Sequence, residues 1–250
     1  MKISKNNGIP EIFHSLQGEG KSIGRPSIFI RTSLCNLHCI WCDTDYTWNW
    51  KNTNFKHKSD SKEGYSKFSK ENQIIELDTS EIVSIVLGFN CNSIVLTGGE
   101  PLIQQFGLVK VMQVLREKSM DYHFEVETNG TIMPTREADA LIDQYNVSPK
   151  LKNSCITESL RIKPEPLGFF SKSPKANFKF VVSDKGDIEE ILALMTTHGI
   201  DPNSIYLMSE GTSMDELSEK NNWLVEICKT YNFHFTNRLH VFIWGSKRGI

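Results

Sequence analysis

Strand-like and helix-like segments alternate along the chain from Ser27 onwards, and this alternation constrains the fold more than any other feature. Short apolar segments predict strands at 27–32, 93–97, 123–127, 177–183 and 204–208, with a further brief strand that ends at Ser148. Amphipathic segments predict helices at 79–87, 104–118, 135–145, 187–198 and 214–230. Such alternation is typical of right-handed βαβ units. We therefore expect an α/β fold, an open or partial (β/α) barrel with a mostly parallel sheet of about six strands.

The length of 250 residues suits one domain that spans residues 1–250. Residues 49–75 are rich in Lys, Asn and Ser and show little periodicity, which predicts an exposed polar insertion. Residues 151–175 contain several prolines and predict a long loop with small local elements, and the tail from Phe233 predicts a strand and a returning segment. Thr79 and Ser80 are candidate N-caps for the helix that ends near Leu87.

The charge and the N-terminus exclude several kinds of partner. The formal net charge is −2, which gives no general attraction to nucleic acid or to an anionic membrane. The first residues lack the apolar core of a signal peptide, and no segment approaches the roughly 18 apolar residues of a membrane helix. We expect a cytoplasmic protein that has neither nucleic acid nor membrane as its partner.

Three of the six cysteines, Cys35, Cys39 and Cys42, lie within eight residues, whereas Cys91, Cys155 and Cys228 are scattered. A disulfide framework normally spreads its cysteines more evenly, in a smaller secreted chain. The three clustered cysteines therefore predict a metal site.

A [4Fe–4S] cluster normally takes four thiolates, so three thiolates on one loop leave one iron open. An open iron can chelate the amine and the carboxylate of S-adenosylmethionine (SAM), and electron transfer to the sulfonium can then release a 5′-deoxyadenosyl radical. The alternative is a structural zinc site that adds His38 or a distant cysteine. His38 lies between two ligands, where chelation would be strained, and no second ligand pair follows.

Three further motifs, GGEP at 98–101, TNG at 128–130 and SPK at 148–150, each follow a predicted strand directly, as the cysteines do. In parallel α/β folds the carboxyl ends of the strands share one rim, where sites are built. We therefore expect the four motifs to meet.

The CxxxCxxC spacing, with an aromatic residue before the third cysteine and GGEP downstream, resembles the radical SAM superfamily. Other segments are similar to one family within it, the 7-carboxy-7-deazaguanine synthases. These segments are SLQGEG at 15–20, Arg31, WCDT at 41–44, ETNG at 127–130, SPK, and the ending from Leu239 through WGSKRG at 244–249. They follow the order of the family from residue 11 to residue 250.

The resemblance implies a lyase with a partial barrel of radical SAM type. The enzyme would convert 6-carboxy-5,6,7,8-tetrahydropterin to 7-carboxy-7-deazaguanine with loss of ammonia, in queuosine and 7-deazapurine biosynthesis. It implies a [4Fe–4S] cluster, SAM and Mg²⁺ as cofactors, a homodimer, and an electron donor such as flavodoxin or ferredoxin.

The resemblance also assigns residues. Cys35, Cys39 and Cys42 would hold the cluster, and Thr44 would bind Mg²⁺. The substrate-binding set is Leu16, Gln17, Gly18, Glu19, Arg31, Thr97 and His240. The SAM-binding set is Trp41, Gly99, Glu100, Glu127, Asn129, Ser148, Pro149 and Lys150, with Lys179 as a weaker candidate.

The residue chemistry agrees with these roles but leaves alternatives open. The planar fork of Arg31 suits the carboxylate of a pterin, although arginine is more often found in an ion pair. QGEG also fits a simple turn. The hydroxyl of Thr44 also fits a helix cap.

Two other functions stay open at this point. A radical SAM activase that acts on a protein glycine shares CxxxCxxC and a GGE-type motif, but QGEG, Arg31 and WGSKRG argue against it. A non-catalytic Fe–S or zinc-binding module would leave GGEP and SPK without a role.

Overall fold

One mixed sheet organises the fold. The computed structural model describes residues 1–250. Its strands are β1 (Lys2–Asn6), β2 (Ile9–Pro10), β3 (Ile12–Leu16), β4 (Pro26–Thr32), β5 (Ile74–Glu76), β6 (Ser93–Gly98), β7 (His123–Thr128), β8 (Gln144–Val147), β9 (Ala176–Val182), β10 (Ile205–Ser209) and β11 (His234–Phe235). Its helices are α1 (Lys70–Gln73), α2 (Thr79–Leu87), α3 (Gln105–Lys118), α4 (Arg136–Leu141), α5 (Glu158–Arg161), α6 (Pro164–Lys172), α7 (Asp187–His198), α8 (Met214–Tyr231) and α9 (Leu239–Trp244).

The central strands are parallel, in the order β11-β10-β9-β8-β7-β6-β4, and the sheet stays open. Successive parallel strands from β6 onwards are joined through helices, as the alternation in the sequence predicts. The predicted α/β fold with a mostly parallel sheet is confirmed, with seven parallel strands where about six were expected.

The two faces of the sheet alternate with a period of two residues. In β4, Ile28 and Ile30 belong to the hydrophobic core, whereas Phe29 and Arg31 line a cavity. In β9, Phe178 and Phe180 are core residues, and Lys179 lines the cavity. One face of the sheet therefore supplies the core, and the other supplies polar side chains for a site.

The antiparallel edge of the sheet was not predicted. β1 pairs with β2, β4 and β5, and β3 pairs with β4 in register from Ile12–Ile30 to Leu16–Pro26. The strand β1 (KISKN) is mostly polar, and β2 (IP) and β5 (IIE) have only two and three residues, so no apolar run of strand length predicts them. The β3–β4 hairpin places the QGEG segment beside the rim.

Several predicted boundaries are wrong. The helix predicted at 135–145 ends at Leu141, because residues 144–147 form the buried strand β8 between β7 and β9. The predicted loop at 151–175 contains the nine-residue helix α6, and the returning tail is the helix α9. The N-cap of α2 is Asp78 rather than Thr79 or Ser80, because Asp78 and Glu81 form a reciprocal capping box.

The insertion at 49–75 is only partly exposed. Within it Trp50 and Phe68 form a bridge, and His57 is buried. Aromatic rings of the insertion pack against Trp48, at centroid distances of 6.0 Å for Phe55 and 6.2 Å for His57. The insertion therefore covers the segment that follows the cysteines.

None of the helices combines the length and the apolar character that crossing a membrane requires.

Candidate active site

A cavity of about 510 Å³ opens at the carboxyl ends of the parallel strands. This volume lies within the range of roughly 300–1,000 Å³ that is typical of ligand sites. All predicted site residues line the cavity except Glu100 and Pro149. The four motifs that follow strands therefore meet, as the alternation predicts.

The cysteine loop is fixed from several sides by hydrogen bonds. The Glu100 N–H donates to the carbonyl of Leu34 at 2.9 Å, and the Ile40 N–H donates to the carbonyl of Ser154 at 3.0 Å. The amide of Asn36 donates to the Thr131 hydroxyl at 2.8 Å. The geometry of the three cysteines is thus set by neighbouring loops before any ligand binds.

Gly99 lies where GGEP meets the cysteine loop. A Cβ atom at this position would lie 2.1 Å from the carbonyl oxygen of Leu34 and 2.9 Å from the Cβ of Cys35. Such distances do not occur in real structures, so only glycine allows this approach.

The three thiols are buried to different extents, and two of their sulfur atoms receive N–H donors. Burial raises the pKa of all three thiols, that of Cys39 to about 12, so loading a metal would release protons. The Trp48 indole N–H donates to Cys42 Sγ at 3.3 Å, and the Leu37 N–H contacts Cys35 Sγ at 3.5 Å. Such donors stabilise thiolate charge.

No group of three or more His, Cys, Asp or Glu side chains converges on one point as the ligands of a single ion would. A cluster makes a different demand, since each thiolate binds its own iron. The zinc alternative therefore gains no support from the geometry.

Thr44 lies beside the sulfur of Cys42, at 3.5 Å from Oγ1 to Sγ. It occupies the N-cap position of a short 3₁₀ helix at Asp45–Thr47, but its side chain makes no capping hydrogen bond. The alternative role as a helix cap is therefore not observed, and the hydroxyl remains available to the cavity.

Glu19, which also lines the cavity, holds two cations. Lys179 contacts Oε2 of Glu19, and the Arg238 Nε–H donates to Oε1 at 2.9 Å. Burial disfavours a charge on Glu19, but Lys179 and Arg238 outweigh it and hold the pKa of Glu19 well below its usual range. Arg238 also contacts Asp43, so it joins QGEG to the segment after the third cysteine.

Arg31 points into the same cavity from β4. Its Nε is buried and has no hydrogen-bond partner, and the nearest carboxylate, that of Glu11, lies 3.8 Å away. Glu11 is instead bound by Arg248, at 3.1 Å from Nη2 to Oε2. Arg31 is therefore a cation with unused donors, which suits an anionic ligand.

Glu127 accepts hydrogen bonds from two other residues that line the cavity. The Thr97 hydroxyl donates to its Oε2 at 2.6 Å, and the Gln17 amide donates to its Oε1 at 3.1 Å. The same amide donates to the buried Glu125 at 2.7 Å, so both of its N–H groups are already used. Gln17 therefore positions Glu127, and its own carbonyl oxygen accepts from the Glu19 N–H.

Ser148 and Lys150 of SPK lie next to Trp41. The Lys150 ammonium donates to the Ser148 hydroxyl at 2.9 Å and lies 5.6 Å from the centre of the Trp41 ring. Lys150 makes no ion pair, so its charge is free to meet an anion. Asn129 donates to Asn36 at 2.9 Å and so connects TNG to the cysteine loop.

Glu100 and Pro149 do not reach the cavity. The carboxylate of Glu100 is fully buried and accepts from the Asn129 N–H at 2.7 Å and from the Leu102 N–H at 3.0 Å. Burial raises the pKa of Glu100 to about 7 although these donors oppose the shift. Its contact with the SAM ammonium stays a prediction that the geometry does not favour.

His240 packs against QGEG. A Cβ atom at Gly18 would lie 2.2 Å from Nδ1 of His240, and the Leu239 N–H donates to the carbonyl of Gly18 at 2.8 Å. Burial lowers the pKa of His240, although the neighbouring Glu19 opposes the shift. The C-terminal segment thus closes one wall of the cavity.

Three residues of this site had no role predicted from the sequence: Arg238, Arg248 and Trp48. Arg248 belongs to the WGSKRG ending, but its contact with Glu11 depends on the fold. Arg238 lies only two residues before His240, but an arginine without a partner motif gives no signal in a single sequence. The weaker candidate Lys179 does line the cavity.

Comparisons with known proteins agree with this architecture. A model of the Radical SAM superfamily matches residues 29–150. A protein named 7-carboxy-7-deazaguanine synthase from Pyrobaculum aerophilum is 37% identical over 241 residues, which are 96% of this chain and 95% of the relative. A protein of the same name from Halobacterium salinarum is 34% identical and covers 95% of this chain and 90% of its own length.

The crystal structure of QueE from Escherichia coli superposes with a TM-score of 0.66 at 26% identity, covering 96% of this chain and 95% of that one. SuiB from Streptococcus suis, bound to its precursor peptide SuiA, shares the fold at a TM-score of 0.52 and 12% identity, over 83% of this chain and 47% of its own. From the extent of the curated matches and the superfamily domain, the chain belongs to the 7-carboxy-7-deazaguanine synthase family of radical SAM enzymes.

Proposed function

We propose that the protein converts 6-carboxy-5,6,7,8-tetrahydropterin to 7-carboxy-7-deazaguanine with release of ammonia. The observation that carries this proposal is that one cavity is lined both by the three cysteines and by the polar side chains of Arg31 and Glu19. A radical generated beside the cysteines would therefore share one cavity with a bound polar substrate. Family membership supplies the identity of that substrate.

Arg31 would bind the carboxylate of the pterin. Its Nε is buried and unpaired, and a carboxylate that accepts from the guanidinium would satisfy it. Glu127, which the resemblance assigns to SAM, is oriented by Thr97 and Gln17. In this proposal it would instead offer its carboxylate oxygens to the amino and ring N–H groups of the pterin. Glu19 is kept ionised by its cations and would accept further donors from the same edge.

Cys35, Cys39 and Cys42 would hold the cluster, and the backbone at Gly99, with Ser148, Lys150 and Asn129, would hold SAM. When bound, the cluster and SAM supply the radical that removes a hydrogen atom from the substrate. Lys150 would face the carboxylate of SAM, since its ammonium has no acidic partner. The walls formed by Trp41 and the C-terminal segment would keep water out.

Thr44 would bind Mg²⁺ through its hydroxyl, together with substrate oxygens and water. Mg²⁺ retains several waters and needs few protein ligands, so one hydroxyl is sufficient. The support is the position of Thr44 on the cavity wall with no capping role.

The proposal also includes a homodimer and a one-electron donor such as flavodoxin or ferredoxin, which rest on the resemblance to the family. It places the enzyme in the cytoplasm, where a reducing environment preserves thiols and exposed iron.

The test is anaerobic. The protein is reconstituted with iron and sulfide and incubated with dithionite, SAM, Mg²⁺ and the carboxytetrahydropterin, and the products are followed by mass spectrometry. Formation of 7-carboxy-7-deazaguanine and ammonia is expected. Cleavage of SAM to 5′-deoxyadenosine without the deazapurine would overturn the substrate and leave the radical SAM class intact.

A variant sharpens the assignment of Arg31. Arg31→Ala should raise the KM for the pterin while uncoupled cleavage of SAM survives. Arg25→Ala is the matched control, because Arg25 lies just before the same strand and does not line the cavity. An unchanged KM in the Arg31 variant would remove its proposed role.

A further inference from the structure

Trp48 makes an unusual contact with the third cysteine. Its indole N–H donates to Cys42 Sγ at 3.3 Å, and the side chain is only 1% exposed. The neighbouring Cys35 Sγ receives a backbone N–H instead, that of Leu37 at 3.5 Å. Cys42 thus differs from Cys35 in having a donor that a single substitution can remove.

The insertion at 49–75 holds this tryptophan in place. The ring of Trp48 packs edge-on against His38 at 5.0 Å and against Phe55 at 6.0 Å between centroids. Phe55 in turn stacks on His38 at 3.5 Å. An aromatic cluster from two segments therefore fixes the direction of the indole N–H.

The insertion is also attached to the cysteine loop through its backbone. Nε2 of His57 contacts the carbonyl of Cys42 at 2.8 Å, and the Lys58 N–H donates to the carbonyl of Ile40 at 2.7 Å. His57 also packs its ring against Trp48, at 6.2 Å between centroids. The insertion therefore contacts both the tryptophan and the cysteine that it faces.

We propose that Trp48 is a positioning residue that raises the reduction potential of the cluster through the thiolate of Cys42. The inference rests on the proposed function only in placing the cluster on these three cysteines. Reduction adds one electron from an external donor, and no bond forms or breaks. The reduced cluster carries more negative charge on its sulfur ligands, so an N–H donor stabilises the reduced form more than the oxidised form.

The inference gives the insertion a function. Its aromatic residues keep a donor on Cys42, and the enzyme becomes easier to reduce by a carrier of limited reducing power. Removal of the donor should make the cluster harder to reduce without changing the binding of substrate by Arg31 and Glu19.

The experiment compares Trp48→Phe with Trp50→Phe in the reconstituted protein. The Trp50 indole N–H donates to the carbonyl of Tyr46 at 3.3 Å, so this variant loses the same group two residues away without touching a sulfur. Midpoint potentials are measured by redox titration monitored by electron paramagnetic resonance, without pterin. We expect a more negative potential for Trp48→Phe and the wild-type potential for Trp50→Phe, with equal iron and sulfide contents.

A wild-type potential in a fully loaded Trp48→Phe protein would overturn the inference. If that variant fails to load iron, a tryptophan analogue with sulfur in place of the N–H is incorporated at position 48. This analogue keeps the ring and removes only the donor, and an unchanged potential there overturns the inference equally.

A kinetic readout separates this role from a structural one. Turnover of Trp48→Phe should fall with a weak reductant and recover with titanium(III) citrate, while the KM for the substrate stays constant. A loss that the stronger reductant does not restore would contradict a role through the potential. Since the potentials are measured without pterin, failure of the proposed substrate would leave them unaffected.

Discussion

In one part of the cavity three thiols lie in a loop that neighbouring segments hold in place. In another part Glu19, Lys179 and Arg238 already form an ionic network, which Arg238 extends to Asp43. We call these the cysteine end (Cys35, Cys39 and Cys42) and the ionic end (Glu19, Lys179 and Arg238). The thiols of the cysteine end therefore need a bound ligand to use their bonding capacity, whereas the charges of the ionic end are already compensated by side chains of the protein.

This difference has an energetic consequence. The thiols of the cysteine end are protonated and neutral near pH 7, because burial raises their pKa. They contribute to the apo fold by packing and by the weak hydrogen bonds of Cys35 and Cys42. The ionic end contains buried charges whose removal leaves a partner without compensation. Substitutions at the two ends should therefore separate cofactor loading from stability.

The largest effect is expected at the cysteine end. Cys39→Ala should lose the cluster and all SAM cleavage, because two thiolates cannot hold four irons. Stability of the apo protein should change by only about 1 kcal/mol, since one buried sulfur is lost. Iron analysis, visible absorbance and urea unfolding of the apo protein measure the two effects.

The scattered cysteine Cys228 provides a control for that variant. It is buried in the core on α8 and lies outside the cavity. Cys228→Ala should lose a similar amount of stability and keep its iron. Iron retained in Cys39→Ala would refute the cluster assignment.

The ionic end should show the reverse pattern. Glu19→Gln leaves Lys179 and Arg238 without their shared carboxylate, which should destabilise the apo protein by about 3 kcal/mol while the cluster still loads. Urea unfolding and iron content are the measurements. A fully stable Glu19→Gln protein would show that the network does not support the fold.

The pH dependence of this effect follows from the direction of the pKa shift. The pKa of Glu19 in the folded state is depressed by Lys179 and Arg238 against the effect of burial. Its contribution is therefore present above the unfolded pKa of about 4.3 and is lost as the pH falls towards the folded pKa. The stability difference between wild type and Glu19→Gln should be largest at neutral pH and should narrow below about pH 4.

The same contrast explains what the sequence could predict. The cysteine end can be recognised from the sequence because its three ligands lie within eight residues at a characteristic spacing. The alternation of strands and helices then predicts that GGEP, TNG and SPK lie around them. The ionic end joins residue 19 to residues 179 and 238. No periodicity connects such distant positions, so Arg238 was missed and Lys179 was only a weak candidate.

Fold prediction failed for the same kind of reason. The brief strand predicted to end at Ser148 is β8, but its first residues were placed in the preceding helix, because only the pairing with β7 and β9 distinguishes them from the end of that helix. The buried rings of the insertion lie in a polar segment without periodicity. Their burial depends on His38 and Trp48, which lie outside the segment.

A smaller effect is expected where GGEP meets the cysteine end. Gly99→Ala should displace the loop around Cys35 and cost about 2 kcal/mol, as overpacking typically does. Iron content after reconstitution should fall because Cys35 moves from its place. Gly168→Ala on α6 is the control, since nothing lies within 4 Å of its added Cβ. Equal iron contents in the two variants would show that the loop tolerates the displacement.

The smallest effect concerns the side-chain contact between the insertion and the segment that follows β10. Lys58 of the insertion pairs with Glu210 at 2.7 Å, next to β10, and Lys220 shares the same carboxylate at 2.8 Å. The pair is partly exposed, so Lys58→Met should cost less than about 1 kcal/mol of stability, and this effect should fade in high salt.

The free energy of global unfolding of Lys58→Met should hardly change, but proteolysis within residues 49–75 should become faster. The backbone contacts with the cysteine loop must then hold the insertion without this side-chain contact. The control variant Lys62→Met removes a more exposed lysine that makes no ion pair, and it should be cleaved at the wild-type rate. If both variants were cleaved at the same rate as the wild type, the contacts with the cysteine loop would be sufficient to hold the insertion. The ion pair between Lys58 and Glu210 would then add nothing to its local stability.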